Sequence, residues 1–341
     1  MDSVNTERTD YTVIKGIPRD PRAAQSGYSK TETGFHTTRP RLVPEEIWKS
    51  RVLDWFPLAL FPATAAACRS QLPPWVFMWL MAISIFGGCK WVTWRRALKT
   101  DLRPSIRRSL GYLVLWPGMD AMSFLDLKAT LKTGKMLYPR SALISGFSSA
   151  VVGGLLIWVA TVVVILLPEV AGWMMMAGIV LILHFGLFKM LALLWQRAGI
   201  PVKPVMCQPL KSSSLAEFWG GRWNTAFTGL VHDLALRPLA RRLGINGAII
   251  GVFLISGLVH ELVISLPARG GLGLPTGYFV LQGLGVILAR EGRRWGLNKG
   301  IRGRIYTALF TVGPVYWLFH PLFVEKVILP MLAAIVIKGA H

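Results

Sequence analysis

The sequence predicts an all-α protein that crosses a membrane several times, and three observations predict it. Hydrophobic residues make up 53% of the 341 positions, which is more than an ordinary soluble domain contains. The lysines and arginines are concentrated in alternate segments between apolar stretches. Several windows of about 20 residues, the length that a helix needs to cross a bilayer core, contain no Asp, Glu, Lys or Arg. These windows are 70–89, 141–168, 170–188, 270–289 and 305–324.

The basic residues indicate how the chain is oriented. Cytoplasmic loops of membrane proteins carry an excess of Lys and Arg, so the rich segments, including the N-terminus, are expected in the cytoplasm. Attraction to anionic headgroups then explains the net charge of +21 without nucleic acid. A site for an anionic cofactor is a second use of the same charge. Along the chain, the counts are nine in 1–51, one before the second span, ten in 95–141, none in 168–170, seven in 197–245, one in the next turn and six in 290–304.

We expect a tail, one membrane domain and seven or eight spans. Residues 1–46 mix Pro, Gly, Ser, Thr and charge, which predicts a mobile cytoplasmic tail before a domain at 47–341. No secretory signal peptide opens the chain, so the first span is expected to be an uncleaved anchor. The expected spans are 52–67, 75–94, 142–167, 171–196, 247–267, 272–290 and one or two within 305–338, with kinks at Gly313-Pro314 and His320-Pro321. The spans 142–167 and 171–196 are expected to form a hairpin across a three-residue turn.

Two segments between the spans have their own patterns. The apolar island 110–119 is too short to span and is broken by Pro117-Gly118, which predicts a re-entrant or interfacial segment. Ser214-Leu-Ala-Glu217 is typical of a capping box that opens a helix. Aromatic and apolar residues then recur every three or four positions, which predicts an amphipathic cytoplasmic helix. Gly220-Gly221 in its middle suggests that something approaches the backbone closely. The apolar face would consist of Trp219, Trp223, Phe227 and Leu230.

A histidine in the fifth span is the leading candidate for chemistry. His260 and Glu261 lie where lipid is expected, and a titratable side chain there is costly unless a partner, a cavity or a function compensates. A neutral imidazole can take a proton from a hydroxyl, which suits general-base catalysis. The chain has no Gly-x-Ser-x-Gly elbow, phosphate loop, zinc cluster or dinucleotide fingerprint. Its three cysteines do not have metal-ligand spacing and are expected to be reduced.

Two short motifs carry a resemblance to a known family. Phe218-Trp-Gly-Gly-Arg-Trp-Asn224 precedes Ser256-Gly-Leu-Val-His-Glu-Leu262. In this order the motifs resemble the membrane-bound O-acyltransferase superfamily, most closely its wax-synthase branch. Trp116-Pro-Gly-Met-Asp120 is similar to bacterial wax-synthase-like members, and if the protein is bacterial its location would be the inner membrane. The resemblance covers roughly residues 110–320.

The resemblance implies an enzyme that transfers an acyl group from acyl-coenzyme A to the hydroxyl of a lipophilic alcohol. The site would lie in a central tunnel among the helices, with His260 as the catalytic histidine and Asn224 as the second signature residue. Acyl-coenzyme A would be a co-substrate, with no bound cofactor and no metal. Its phosphates would meet Arg222 together with Arg237, Arg241 or Arg242.

The remaining signature side chains each have two interpretations. Trp219 and Trp223 could contact substrate or anchor the helix at the membrane interface. Ser256 lies one turn before His260 and could orient the ring or bond its own helix backbone. Glu261 lies about 100° around the helix from His260 and is expected to bond a neighbouring helix or backbone.

Alternatives stay open at this point. The acceptor could be a sterol, a terpenoid or a polyketide-like alcohol, and the transferred acyl group could be as short as acetyl. The protein could also be a transporter whose His260 lines a substrate path, although no inverted repeat with paired broken helices is found. His232-Asp233 is a rival histidine–carboxylate pair, but adjacent helical positions do not face each other. His184 is expected to be a packed or cavity residue, and His320 precedes a proline at a predicted kink.

Overall fold

The computed structural model describes residues 44–100, 102–127, 141–292 and 295–339. Within these ranges every regular element is a helix, which confirms the predicted all-α class. The predicted tail 1–46 lies outside the described residues except for its last three positions, where the first helix begins at Pro44. The helices relevant to the site are α1 (Pro44–Ala67), α2 (Pro74–Leu98), α3 (Ile106–Leu115), α4 (Ala121–Leu125), α5 (Ser141–Val163), α6 (Pro168–Arg197), α7 (Leu215–Glu217), α8 (Thr225–Ala268), α9 (Leu274–Glu291), α10 (Gly300–Leu318) and α11 (Pro321–Val336).

The predicted number of membrane spans is only partly matched by candidate helices among the described residues. Among the described residues, α2, α5, α6 and α8 are long and apolar enough to cross a membrane. A bend of 57° joins α10 to α11, and the pair counts as a fifth span if it crosses as one unit. The predicted seven or eight spans are therefore not confirmed, although the kink at His320-Pro321 is. The apolar part of α1, Val52–Ala67, is shorter than the spanning helices.

Glycines allow α5 and α6 to form the predicted helical hairpin. A Cβ atom on Gly153 would lie 2.6 Å from the Gly178 carbonyl oxygen, and one on Gly178 would lie 2.7 Å from the Gly153 carbonyl oxygen. Small residues of this kind let helix backbones approach closely in membranes, where packing replaces the hydrophobic effect as the main driving force. The close packing of the two helices therefore depends on the absence of side chains at Gly153 and Gly178.

Charged side chains tie α1 to α2. Asp54 of α1 is buried and forms ion pairs with Arg95, at 3.2 Å, and with Lys99. A buried carboxylate needs such partners, because an unpaired charge away from water is costly. The pairs hold the basic end of α2 against α1.

One helix, α8, connects the two sequence motifs. It runs from Thr225 to Ala268 and bends at Gly244, whose φ of 69° and ψ of 175° belong to a region that essentially only glycine adopts. The predicted span 247–267 is the C-terminal half of this helix. Asn224 immediately precedes the helix, and His260 lies beyond the bend. The two signature residues therefore mark the start and the far half of one element.

The predicted amphipathic helix is not continuous. After α7, residues Phe218–Arg222 form a wide π turn, and the chain then becomes extended at Trp223 and left-handed at Asn224. Trp223 consequently does not share a helical face with Phe227, and that part of the prediction is wrong. A π turn leaves no simple signature in the spacing of apolar residues, so the 3.6-residue period concealed the break.

Candidate functional site

The His260 ring is held in one tautomer by its own helix. Its Nδ1 lies 2.7 Å from the backbone carbonyl oxygen of Ser256. A carbonyl oxygen only accepts hydrogen bonds, so Nδ1 carries the proton and Nε2 of the neutral ring keeps its lone pair. Nε2 has no hydrogen-bond partner among the described residues. The structure thus leaves it ready to accept a proton.

The His260 side chain is desolvated by its surroundings but remains partly accessible. Burial desolvates the His260 side chain, yet the residue keeps accessible surface and is only half-buried. Both properties are expected of a side chain that faces an internal space. The Phe279 ring of α9 lies against the imidazole, with 4.3 Å between ring centroids. Phe279 therefore forms one wall beside the proposed base.

Glu261 binds the next helix, as predicted. Its Oε1 accepts hydrogen bonds from the backbone N–H groups of Gly273 and Thr276, both at 3.0 Å, and from the Thr276 hydroxyl at 2.8 Å. These groups belong to the N-terminal turn of α9, where unpaired N–H groups and the helix dipole favour a carboxylate. A π turn, Glu261–Ser265, begins directly after His260. Such π turns inside α-helices are frequent at functional sites.

Trp219 reaches the same wall from the first motif. Its ring centroid lies 5.6 Å from that of Phe279 and 5.9 Å from that of Phe253. Its indole Nε1 donates to Oε1 of Gln282 at 3.2 Å, and Gln282, which is fully buried, donates to the Phe310 carbonyl oxygen at 2.6 Å. Of the signature residues in the first motif, Trp219 is thus linked to His260 through Phe279.

Asn224 stands in a strained turn. Its φ of 45° and ψ of 54° place it in the left-handed region, which non-glycine residues adopt infrequently and Asn tolerates best. The following residue, Thr225, donates its N–H to the Val205 carbonyl oxygen at 2.8 Å. The Asn224 side chain forms no hydrogen bond within the described part of the chain. Its amide is therefore available, but no described contact joins it to His260.

Arg222 and Glu217 form an ion pair beside the motif, with Nη2 and Oε1 2.7 Å apart. Arg222 also donates from Nη1 to the carbonyl oxygens of Cys207 and Gln208, each at 3.3 Å. Burial raises the pKa of the Glu217 carboxyl, but hydrogen bonds from the Ser213 backbone and hydroxyl and from Arg222 outweigh burial and leave the pKa below its usual value. Arg222 thus holds the turn, and its predicted role toward coenzyme A stays a prediction.

The capping box is formed with a changed partner. Ser214 accepts the Glu217 N–H at 3.1 Å, as predicted. The Glu217 carboxylate, however, returns to the Ser213 N–H at 2.7 Å instead of the Ser214 N–H. The next residues include the glycine pair 220–221, where added Cβ atoms would meet nothing within 4 Å among the described residues. The sequence predicted that another group approaches the backbone of this glycine pair closely, and the described residues do not supply such a group.

The remaining motif residues have clear neighbours. Trp223 stacks on Phe218 with a centroid distance of 5.4 Å and an interplanar angle of 15°. Ser256 supplies its carbonyl, not its hydroxyl, to His260. Arg237, Arg241 and Arg242 are exposed on the first half of α8, and Arg237 lies 3.4 Å from Asp233.

One prediction about the rival histidine is wrong. His232 Nδ1 and Asp233 Oδ1 lie 3.2 Å apart, although the two residues are adjacent on a helix. They lie in another π turn, His232–Leu236. Because Asp233 is largely exposed, the pair is screened by water and adds little stability.

Sequence reasoning missed a buried lysine next to the Trp-Pro-Gly-Met-Asp island. Lys90 of α2 is 1% exposed. Its Nζ donates to the Gly118 carbonyl oxygen at 2.7 Å and lies 3.3 Å from the centroid of the Tyr112 ring. Burial raises the pKa of the Tyr112 hydroxyl, which hydrogen-bonds the Thr93 hydroxyl at 2.7 Å. A lone lysine inside the predicted span 75–94 was the signal that could have identified this cluster.

Neither a metal cluster nor a hollow identifies the site. Among the residues the structure describes, no group of three or more His, Cys, Asp or Glu could hold a metal ion. One surface hollow of about 380 Å³ has Thr100 among its lining residues, and another of about 410 Å³ has Arg69. His260 lines neither of them. The central tunnel implied by the resemblance therefore stays a prediction.

Comparisons with known proteins show a similarity of this region to a known family. Residues 202–281, which contain both motifs, match the membrane bound O-acyl transferase family. The chain is similar to acyl-CoA–sterol O-acyltransferase 1 of Arabidopsis thaliana, with 26% identity over 37% of this chain and 40% of the relative. It is also similar to the long-chain-alcohol O-fatty-acyltransferase of Simmondsia chinensis, with 29% identity over 36% of this chain and 39% of the relative.

A third relative is the probable long-chain-alcohol O-fatty-acyltransferase 2 of Arabidopsis thaliana, with 31% identity over 38% of this chain and 41% of the relative. The chain thus spans about two fifths of the length of the curated relatives it matches. The matched family region begins before Asn224 and extends beyond Phe279, so it includes the proposed base and its wall. With its apolar helices, the chain is an integral membrane protein. Over residues 202–281 the chain is thus similar to the membrane-bound O-acyltransferase family.

Proposed function

We propose that this protein transfers an acyl group from acyl-coenzyme A to the hydroxyl of a lipophilic alcohol, with His260 as the general base. The observation that carries the proposal is the hydrogen bond from His260 Nδ1 to the Ser256 carbonyl oxygen. It selects the tautomer in which Nε2 can accept a proton, and a general base needs that tautomer. The names of the relatives support an acyl transfer to an alcohol.

The reaction balances with His260 alone as proton carrier. Nε2 takes the proton of the alcohol as the alcohol oxygen attacks the thioester carbonyl carbon. The carbon–sulfur bond then breaks, and coenzyme A leaves as a thiolate. The proton passes from Nε2 to this thiolate, which restores the neutral imidazole and releases the ester and free coenzyme A. No oxidant or reductant is needed.

Asn224 is the proposed second polar group. Its side chain is not engaged by the described residues, so its amide NH₂ can donate to the thioester oxygen and stabilise the charge that develops there. Because no described contact joins Asn224 to His260, the substrate would span the two. In this proposal the acyl thioester lies along the face formed by Trp219 and Phe279.

Exposed arginines on α8 are the better candidates for the phosphates of coenzyme A. Arg241 and Arg242 are exposed, whereas Arg222 is engaged with Glu217 and two carbonyl oxygens. Guanidinium groups bind phosphate through paired hydrogen bonds. Together with the basic ends of α2 and α6, these residues support a cytoplasmic N-terminus and cytoplasmic entry of acyl-coenzyme A.

Purified protein in detergent tests the proposal. Wild type, His260→Ala and a control, His184→Ala, would receive radiolabelled acyl-coenzyme A with a long-chain alcohol or a sterol. Removing a general base costs about 10²–10⁴-fold in rate, so His260→Ala should lose at least about 100-fold while His184→Ala keeps its rate. The preferred acceptor separates the long-chain-alcohol and sterol alternatives.

Equal ester formation by wild type and His260→Ala would overturn the role of His260. No ester from wild type with either acceptor would overturn the proposed activity. In the second case, solute uptake by liposomes containing the protein would favour the transporter alternative.

A further inference from the structure

His320, at the break between α10 and α11, is buried, and one of its two ring nitrogens is engaged in a hydrogen bond. The residue is 1% exposed. Its Nδ1 accepts the backbone N–H of Phe323 at 3.2 Å and so caps α11. A nitrogen that accepts a hydrogen bond carries no proton, so His320 is a neutral imidazole with its proton on Nε2. Nε2 is therefore a donor.

Two buried polar atoms without partners lie next to the loop 269–273, which connects α8 to α9. Nε2 of His320 and Oε2 of Glu261 are both buried and have no hydrogen-bond partner among the described residues. The Ser265 hydroxyl, which also lies near the Glu261 carboxylate, donates to the Gly271 carbonyl oxygen at 3.3 Å. Within the loop, Gly273 donates to the other oxygen of Glu261. Gly271 packs on the His320 ring, where an added Cβ would lie 2.3 Å from Nε2.

We propose that Glu261 and His320 together bind one buried water molecule, and that this link makes His320 a positioning residue for His260. The chemistry is complementary, because Nε2–H donates, Oε2 accepts, and a water molecule can do both. Buried unpartnered polar groups in native proteins commonly signal an ordered water, and each is costly if left unpaired. Such a water would satisfy both atoms at once.

The link would act on the base through α9. Glu261 holds the N-terminal turn of α9, and α9 carries Phe279, which lies against the His260 ring. Fixing the second oxygen of Glu261 prevents the carboxylate from rotating away from this turn. His320 thereby steadies the wall of the site without touching substrate.

Two substitutions at His320 test the contributions of its two ring nitrogens separately. His320→Asn keeps an acceptor near the position of Nδ1, so the cap on α11 survives, but it removes the donor toward Glu261. His320→Gln places an amide donor near the position of Nε2. Glu261→Gln replaces the acceptor Oε2 by an NH₂ group. His184→Asn changes a histidine of α6 that has no described contact with Glu261 and serves as the matched control.

Thermal unfolding in detergent tests the link without any activity assay. For His320→Asn and Glu261→Gln, the double variant should lose at least about 2 °C less in Tm than the sum of the single losses, because one shared link is removed only once. His184→Asn and Glu261→Gln should be additive. Additive losses for the first pair would overturn the proposed link.

Kinetics test the positioning role, which rests on the proposed function. His320→Asn should lower kcat about tenfold with KM for acyl-coenzyme A unchanged, and His320→Gln should restore most of kcat. A change in KM alone, or equal losses for Asn and Gln, would overturn the role. If wild type forms no ester, the proposed function fails, and the unfolding measurements still decide whether the link exists.

Discussion

Gly257 of α8 and Thr276 of α9 lie so close that a Cβ atom on Gly257 would be 2.7 Å from the Thr276 Cα. The two helices therefore touch backbone to backbone, less than one turn before His260. The same Thr276 gives its N–H and its hydroxyl to Glu261. In the second motif, Gly257 thus allows the two helices to approach, and the hydrogen bonds of Glu261 stabilise this contact. His260, which lies between these two residues in the sequence, faces the candidate site.

Substituting Gly257 by alanine should destabilise the protein, because the new methyl group meets backbone that cannot turn away. We expect a loss of about 1–3 kcal/mol and a drop in acyl transfer as α9 shifts. Gly154→Ala on α5 is the matched control, since a Cβ there meets nothing within 4 Å among the described residues. Thermal unfolding of both variants in detergent checks this. Equal Tm values for the two would contradict the close approach.

The sequence was informative where chemistry is local. The capping serine, the α5–α6 hairpin and the bend at His320-Pro321 follow from short-range rules and were predicted. That Glu261 would turn away from His260 followed from helical geometry. Its actual partners, at the start of α9, depend on how two helices pack and could not be read from one segment. The π turns were also concealed, because one extra residue in a turn leaves the composition unchanged.

Lys90 shows why the remaining part escaped prediction. Lys90 lies inside the predicted span 75–94, directly after the uncharged window 70–89, and its position does not show what it contacts. In the structure it is buried and bonded to Gly118. The acceptor is a backbone carbonyl in a distant segment, and a carbonyl has no signature in sequence. Only the tertiary packing reveals the pair.

Lys90→Met should loosen the segment around Gly118. Methionine keeps most of the aliphatic volume but leaves the Gly118 carbonyl without its N–H donor. The loss of one buried hydrogen bond, worth about 1–1.5 kcal/mol, should speed amide hydrogen exchange in peptides covering 111–124 about tenfold. Lys189→Met, which removes a bond to the exposed Ser145 hydroxyl, should leave these peptides unchanged. Unaltered exchange in the Lys90 variant would show that Lys90 does not hold this segment.

The Glu217–Arg222 pair predicts a pH dependence of stability. Hydrogen bonds from Ser213 and Arg222 outweigh burial and keep the pKa of Glu217 below its usual value of 4.5 in the folded protein. A lowered folded pKa stabilises the protein above the unfolded value, and this stabilisation is lost as pH falls through the folded pKa. The Tm difference between wild type and Glu217→Gln should therefore be full at about pH 7 and shrink toward about pH 3. A difference that stays constant across this range would exclude the ionised carboxylate as its source.

Asn224 can be tested so that its backbone and its side chain are separated. Alanine in the left-handed conformation costs about 1–2 kcal/mol, whereas glycine adopts it freely. Asn224→Gly should therefore keep the turn and the Tm while losing the amide, and Asn224→Ala should lose both. If the amide stabilises the thioester oxygen, both variants lose about 100-fold in kcat, as enzymes that lose an oxyanion donor do.

The control for this experiment is Gln208, an exposed residue with a similar φ of 53°. Its backbone carbonyl, not its side chain, accepts from Arg222. Gln208→Gly should keep the turn and the rate, because no amide near the proposed site is removed. Full activity in Asn224→Gly would mean that the motif needs its asparagine for the shape of the turn, and the oxyanion donor would then have to come from another residue.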